Sequence, residues 1–172
     1  MPTPDFVLAL REKIGHDELW LPGVTAVVLR EAPGGAEVLL VKRADSGAWT
    51  PVTGIVDPGE EPAIAAVREV LEEADVVARA ELLSAVQTIP LITYGNGDRS
   101  RYLDLVFRCS YVSGEPFPAD GENTAAAWYA LDALPEMSDD MRGRIEVAVN
   151  GGDAARFVSQ PESTGITSGN LS

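Results

Sequence analysis

Residues 54–76 read GIVDPGEEPAIAAVREVLEEADV, and this stretch decides the fold class of the chain. Its part from Glu61 to Ala74 is rich in Ala, Glu, Leu and Arg and has no internal glycine, which predicts a helix. The stretch holds seven acidic side chains and one basic side chain, Arg68, so its net charge is −6. Nearly half of the chain's total formal charge of −14 therefore lies in this one segment.

Three glutamates of the predicted helix share one face. Spacings of three and four residues bring side chains together on a helix, so Glu69, Glu72 and Glu73 project to the same side. The opposite face is predicted to be apolar and consists of Ile64, Val67, Val70, Leu71 and Ala74. Like charges at these spacings destabilise a helix by about 0.2–0.5 kcal/mol per pair, a cost that a divalent cation would offset. The alternative is an acidic helix face that is simply solvated.

The spacing of these residues resembles the Nudix box, Gly-x5-Glu-x7-Arg-Glu-U-x-Glu-Glu-x-Gly-U, in which U is an apolar residue. Eight of the nine specified positions match within residues 54–76. The resemblance extends to a strand before the box, a Trp-containing lead-in at residues 48–51 and an acidic loop ahead of Trp128. It covers about residues 20–150 and implies an α/β fold, an α/β/α sandwich with a mixed β-sheet.

Asp75 is the one departure from the box, which has glycine at this position. A residue that follows a helix commonly needs a positive φ, and Asp enters the left-handed region at a lower cost than most residues. We therefore expect a small loss of stability at Asp75 and no loss of chemistry.

The resemblance implies a divalent metal site. Mg²⁺ prefers oxygen ligands and tolerates substrate phosphates in its shell, and Mn²⁺ is expected to substitute for it. By the family's pattern, Glu72 and Glu73 are the principal ligands, and the Gly54 carbonyl and Glu69 complete or support the shell.

The same resemblance implies attack by water on a phosphoanhydride. Glu69 is then the preferred general base, oriented by Arg68, and Glu60 is a supporting ligand or an alternative base. The family often adds an acidic residue from a later loop, where Glu122 is preferred here over Asp120. The alternative for both loop residues is an ordinary solvated turn.

Substrate phosphates need cations, and the candidates are Arg43, Arg99 and Arg101, because a guanidinium binds phosphate in a bidentate manner. Four aromatic residues are candidates for stacking on a base, with a place in the core as the alternative: Trp20, Trp49, Tyr94 and Tyr102.

Composition limits the other possibilities. A length of 172 residues predicts one domain. The charge of −14 predicts no nucleic-acid partner and no binding to anionic membranes. The single Cys109 and the single His16 argue against an intramolecular disulfide and a structural zinc site. Without a leader-like N-terminus or a long apolar run, the chain is predicted to be cytoplasmic, and a homodimer is left open.

Outside the box, the patterns predict one domain over residues 1–156 and a C-terminal tail over 157–172. The predicted helices lie at about residues 4–15 and 138–149, the strands at 24–29, 38–41, 81–89, 102–112 and 127–131, and a loop at 43–59.

The predicted function is metal-dependent hydrolysis of a nucleoside diphosphate linked to another moiety, such as a nucleoside triphosphate or an ADP-ribose-like compound. The box does not choose among these substrates. The alternatives are a catalytically inactive nucleotide-sensing or protein-binding module on the same fold and an acidic interaction protein without a site. Inactive relatives usually lose a catalytic glutamate, whereas Glu60, Glu69, Glu72 and Glu73 are all present here.

Overall fold

The structure, a computed structural model, describes residues 3–159. Its elements follow the chain in the order α1 (Asp5–Ile14), β1 (Leu19–Ala32), β2 (Gly35–Arg43), β3 (Trp49–Thr50), β4 (Val52–Ile55), α2 (Pro62–Ala74), β5 (Val77–Thr93), β6 (Arg99–Ser113), β7 (Asn123–Ala130) and α3 (Asp139–Asn150). The predicted terminal helices are confirmed. Gly15 ends α1 at φ 59°, and the Ser138 hydroxyl caps α3 by accepting a hydrogen bond from the Met141 N–H at 3.3 Å.

The sheet is mixed, and β1 is its central strand. β1 runs parallel to β6, and β5 pairs antiparallel with β6 beyond it. On the other side β1 has two partners in succession, because residues 23–26 pair with β4 and residues 29–32 pair with β2. β2 in turn pairs with β3 and β7. This change of partner along β1 brings β4 next to the cavity described below.

Helices cover both faces of the sheet, so the predicted α/β/α sandwich is confirmed. On one face Val24 of β1 packs in a core with α2. On the other face Val27 packs with Ile145 of α3. β6 contributes Phe107 to the first core and Val106 to the second. β6 is thus covered on both faces, and for this reason its sequence does not alternate between apolar and polar residues.

α2 buries a different face from the one that its sequence suggested. Its buried residues are Ala65, Ala66, Glu69, Val70, Glu73 and Ala74. Ile64 and Leu71, which we had placed on the apolar face opposite the glutamates, are 59% and 48% exposed. The prediction that the glutamates lie opposite the buried face was wrong. Small alanines let the helix approach the sheet, and the carboxyl groups of Glu69 and Glu73 enter the interior beside them.

Two strands were missed, and all five predicted strands are longer than predicted. The predicted loop at residues 43–59 contains β3 and β4, whose runs are too short to give a strand pattern. β5 extends well beyond residues 81–89 and passes through Pro90. Proline is tolerated there because β5 is an edge strand and its unpaired side needs no N–H donor.

A segment near the C-terminus covers the middle of the β5 edge. The Val86 N–H donates to the Arg156 carbonyl and the Arg156 N–H donates to the Ser84 carbonyl, each at 2.9 Å. The predicted tail is described only as far as residue 159, and the rest of it lies outside the described residues. The domain boundary at residue 156 stays a prediction. Among the helices of residues 3–159, none has the length and apolar character needed to cross a membrane.

Candidate active site

A cavity of about 690 Å³ extends from α2 to α1 and α3. At the α2 end its walls include Gly54, Glu69, Glu73, Arg43 and Glu122. The structure therefore brings together five of the predicted site residues, from four separate parts of the chain.

Gly54 and Glu69 are in close contact at this end of the cavity. A Cβ atom at position 54 would overlap the Glu69 side chain at its Cγ, Cδ and Oε1 atoms. Glycine is thus required for the carboxyl group to lie where it does. Glu69 is fully buried, and among the described residues its Oε2 atom has no hydrogen-bond partner. A buried carboxylate oxygen without a partner costs free energy unless a ligand satisfies it.

Arg68 connects the glutamates of the box. Its Nε and Nη2 atoms donate to Glu60 at 2.8 and 2.9 Å, and its Nη1 atom donates to Glu69 at 3.0 Å and to Glu72 at 3.2 Å. Nη2 also donates to the Ile55 carbonyl at 3.2 Å, which ties the helix to β4. The guanidinium thus fixes one oxygen of Glu69, a residue that also lines the cavity.

Glu73 forms a second group of carboxylates with Asp120 and Glu122. Oxygen atoms of Glu73, Asp120 and Glu122 lie within 4.8 Å of one another, close enough to hold one metal ion between them. Glu73 is 2% exposed, and its Oε2 atom accepts a hydrogen bond from the Asn123 Nδ2 at 2.9 Å. Both loop residues that we considered therefore lie at the site, and Glu122 lines the cavity.

Burial controls the protonation of the two interior glutamates. It raises the pKa of Glu69 to about 8, against the opposing effect of Arg68. It raises the pKa of Glu73 to about 7, although the hydrogen bond from Asn123 lowers it. The carboxylate charges are thus unfavourable in the metal-free protein, and a cation that neutralised them would relieve this cost.

Arg43 lies beside this group of acids. Its guanidinium lies 3.2 Å from Asp45 and 3.7 Å from Glu122. Burial alone would lower the pKa of Arg43, but Asp45, Glu73 and Glu122 raise it overall, so the side chain stays charged. A phosphate entering the cavity beside these carboxylates would meet this guanidinium.

Five predicted site residues do not line the cavity: Glu60, Arg68, Glu72, Arg99 and Arg101. Arg99 and Arg101 instead pair with Glu18, at 3.7 and 2.6 Å. Alternation along β6 explains this, since Arg101 points to the face opposite its cavity-lining neighbours. Glu60 and Glu72 are drawn to Arg68 on the outer side of the helix.

Sequence reasoning missed several polar residues of the site. Asn123 is 5% exposed and holds Glu73, but an amide next to an acidic loop gave no signal of its own. Asp104 and Arg144 form a buried ion pair at 3.3 Å and also line the cavity. Their elements are far apart in the chain, so only the fold reveals the pair.

Comparison with known proteins identifies the family. A model described as NUDIX domain matches residues 20–147. The NAD-capped RNA hydrolase NudC of Pseudomonas aeruginosa is 35% identical over 118 residues, which are 67% of this chain and 38% of that protein. A Bacillus subtilis protein named "Putative 8-oxo-dGTP diphosphatase" is 46% identical over 120 residues, 68% of this chain and 71% of that one.

The solved structure of a NUDIX hydrolase from Nitrosomonas europaea is 26% identical, with a TM-score of 0.59 over 77% of this chain and 90% of that one. The chain spans only 38% of the length of NudC, so the likeness concerns the domain and not the whole of that protein. The matched residues include the complete box, from Gly54 to Val76. The chain belongs to the Nudix hydrolase family.

Proposed function

We propose that the chain hydrolyses a phosphoanhydride bond in a nucleoside diphosphate linked to another moiety, with Mg²⁺ or Mn²⁺ as cofactor. The observation that carries this proposal is the buried Glu69 carboxyl group, which has one oxygen held by Arg68 and the other unpartnered beside a cavity. An inactive relative of the fold would have no need to maintain such an oxygen at a cost in stability.

The donor set fits a hard divalent cation. Glu73, Asp120 and Glu122 offer oxygen atoms within 4.8 Å of one another. Oxygen-only ligands are those that Mg²⁺ and Mn²⁺ prefer. Glu72, the other ligand implied by the pattern of the box, is paired with Arg68 at 3.2 Å in this structure and is not part of this group. When bound, the cation would neutralise phosphate oxygens and lower the pKa of nearby water and carboxyl groups.

Within this proposal, the unpartnered Oε2 of Glu69 takes the proton of the attacking water, and the ligand set of the metal is Glu73, Asp120 and Glu122 without it. Its side chain is fixed by Arg68 on one side and by the close approach of Gly54 on the other. Arg43 holds the substrate phosphates and offsets the negative charge around them. Glu60 serves mainly to orient Arg68, through two hydrogen bonds. The runner-up for the base is Glu122, which lines the same cavity.

The substrate is a nucleotide-linked diphosphate or triphosphate. The named relatives act on NAD-capped RNA and, by its printed name, on 8-oxo-dGTP. The prediction that the chain has no nucleic-acid partner is therefore not supported, since a capped RNA end is a candidate substrate. A capped end would meet the cavity, whereas the net charge of −14 opposes binding of a long RNA backbone.

The test is a substrate panel with Mg²⁺ that includes nucleoside triphosphates, 8-oxo-dGTP, ADP-ribose, NAD and NAD-capped RNA. Release of phosphate or monophosphate is measured for the wild type, Glu69→Gln and Glu72→Gln. Glu61→Gln is the matched control, because Glu61 lies on the exposed N-terminal turn of α2. The proposal fails if no substrate is cleaved or if the two glutamine variants match the wild type.

A further inference from the structure

The N-terminal helix α1 lies outside the part of the chain that the family model matches, yet it forms a wall of the cavity. The matched part is residues 20–147, whereas α1 is Asp5–Ile14. Val7 and Arg11, one helical turn apart on the same face, both line the cavity. Val7 belongs to a small apolar cluster with Leu19 and Leu21, against which Ile55 and Tyr102 pack.

Arg11 fastens α1 to the hairpin between β5 and β6. Its side chain is 10% exposed and lies 3.4 Å from Asp98. Its Nη2 atom donates to the Arg99 carbonyl at 2.8 Å and to the Ser100 hydroxyl at 3.1 Å. The helix is therefore held against the sheet by one cation, supported by the packing of Val7 with Leu19 and Leu21.

Apolar and aromatic side chains make up much of the cavity lining outside the box, together with the polar residues Asn96, Asp98 and Ser100. Among the apolar and aromatic side chains are Val7, Leu21, Ile89, Ile92, Tyr94 and Tyr102, and the two tyrosine hydroxyls are hydrogen-bonded to each other at 2.7 Å. The Nη atoms of Arg11 donate to oxygen atoms of the protein, whereas its buried Nε has no hydrogen-bond partner among the described residues. The Asp98 carboxylate, 3.4 Å from that Nε, also lines the cavity and disfavours a phosphate beside it. A planar, mainly apolar group with a polar edge suits such walls better.

We infer that α1 forms the compartment for the nucleobase end of the substrate and that Arg11 is the positioning residue that holds this compartment closed. The inference rests on the proposed function for the identity of the substrate, and it adds an element that the family match does not contain. Phosphates would then lie at the Glu69 end, and the base would lie between α1 and the two tyrosines.

The experiment measures binding and turnover separately. Binding of AMP and GMP is measured by calorimetry in EDTA, Mn²⁺ binding is measured without nucleotide, and KM and kcat are measured on the best substrate of the panel. Arg11→Ala is compared with Arg79→Ala, whose side chain is 72% exposed on β5. Tyr94→Ala, at an exposed position of the hairpin, is a second variant that does not depend on the Arg11 anchor.

We expect Arg11→Ala and Tyr94→Ala to raise the nucleotide Kd and KM at least about tenfold, with kcat and Mn²⁺ binding unchanged and Arg79→Ala like the wild type. The inference is overturned if the wild type binds neither nucleotide, if both variants bind as the wild type does, or if Arg11→Ala lowers kcat and Mn²⁺ affinity together. Failure of the proposed function is separate, since it would appear as absence of turnover on the whole panel.

Discussion

The Glu69 carboxyl group lies directly against the Cα atom of Gly54, at a distance that leaves no space for a Cβ atom. This contact links the first residue of the box to its central glutamate across 15 positions of the chain. It gives the glycine a physical role that does not depend on its backbone conformation.

Gly54→Ala is therefore expected to displace Glu69 and to reduce kcat by on the order of 10²-fold. The overlap should also destabilise the protein by about 1–3 kcal/mol. Steady-state kinetics and urea denaturation check both effects. Gly34→Ala is the control, because a Cβ there would meet no atom within 4 Å. Equal kinetics for the two variants would contradict the role given to this contact.

The stability of the metal-free protein should fall as the pH rises. Burial raises the pKa of Glu69 to about 8 and that of Glu73 to about 7, from an ordinary value of 4.5. The folded protein therefore keeps protons that the unfolded chain has released, and the resulting stabilisation is complete below about pH 4.5 and lost as the pH rises through 7 to 8.

Thermal denaturation in EDTA should thus show a Tm lower by on the order of 5 °C at about pH 8.5 than at about pH 5.5. Added Mn²⁺ should reverse the loss at the higher pH, because it binds the deprotonated carboxylates. Glu69→Gln should weaken the pH dependence, whereas Glu61→Gln should leave it unchanged. A Tm that rises over this range in EDTA would refute the assignment.

Arg68 donates four hydrogen bonds to glutamate side chains. Its removal should therefore lower the free energy of unfolding. Arg68→Ala leaves Glu60 and Glu69 without their cation and is expected to destabilise the metal-free protein by about 2–4 kcal/mol. Arg68→Lys keeps the charge but cannot reproduce the forked geometry, so its free energy of unfolding should lie between those of the wild type and Arg68→Ala. Urea denaturation in EDTA measures the series, and an unchanged midpoint for Arg68→Ala would show that the network contributes nothing.

Asn123 should affect metal affinity through Glu73. Its amide holds one Glu73 oxygen at 2.9 Å, and Asn123→Ala releases that oxygen. We expect Mn²⁺ affinity to fall about 10-fold or more, as is common when the partner of a metal ligand is lost. Calorimetric titration with Mn²⁺ measures the change, with Thr124→Ala, the next and exposed position, as control. Unchanged affinity would limit Asn123 to a structural role.

Asp75 is at φ 54° and ψ 31°, in the left-handed region that usually favours glycine after a helix. Asp75→Gly is expected to raise the free energy of unfolding by about 0.5–1 kcal/mol and to leave kcat unchanged. Asp75→Ala should lower stability instead, since alanine has no polar side chain to compensate. Denaturation of the three proteins side by side decides the order, and a less stable glycine variant would contradict it.

The spacing of the box was enough to predict the helix, the fold class and the placing of Glu69 and Glu73 at one site. It was not enough to orient the helix. A rule that separates charged from apolar residues placed Ile64 and Leu71 inside, and both are exposed. The rule fails here because a carboxyl group intended for a cavity must enter from the buried face.

The positions of side chains that depend on distant parts of the chain could be predicted only in part. Arg43 could be proposed as a phosphate ligand because it ends a strand that leads into the box. Arg99 and Arg101 were weaker candidates for the same role, and the alternation of β6 and the position of Glu18 turn them elsewhere. Asn123 and Arg11 become visible only when the loop and the hairpin that they contact are folded beside them.

The backbone pairing of Arg156 with β5 also has a consequence for association between molecules. An exposed edge strand offers unsatisfied N–H and carbonyl groups on which another chain can template strand addition. By occupying the groups of Ser84 and Val86, the segment at residue 156 interrupts that template near its middle, and Pro90 interrupts it again farther along. A chain cut before residue 156 would keep its catalytic groups and lose part of its protection against aggregation.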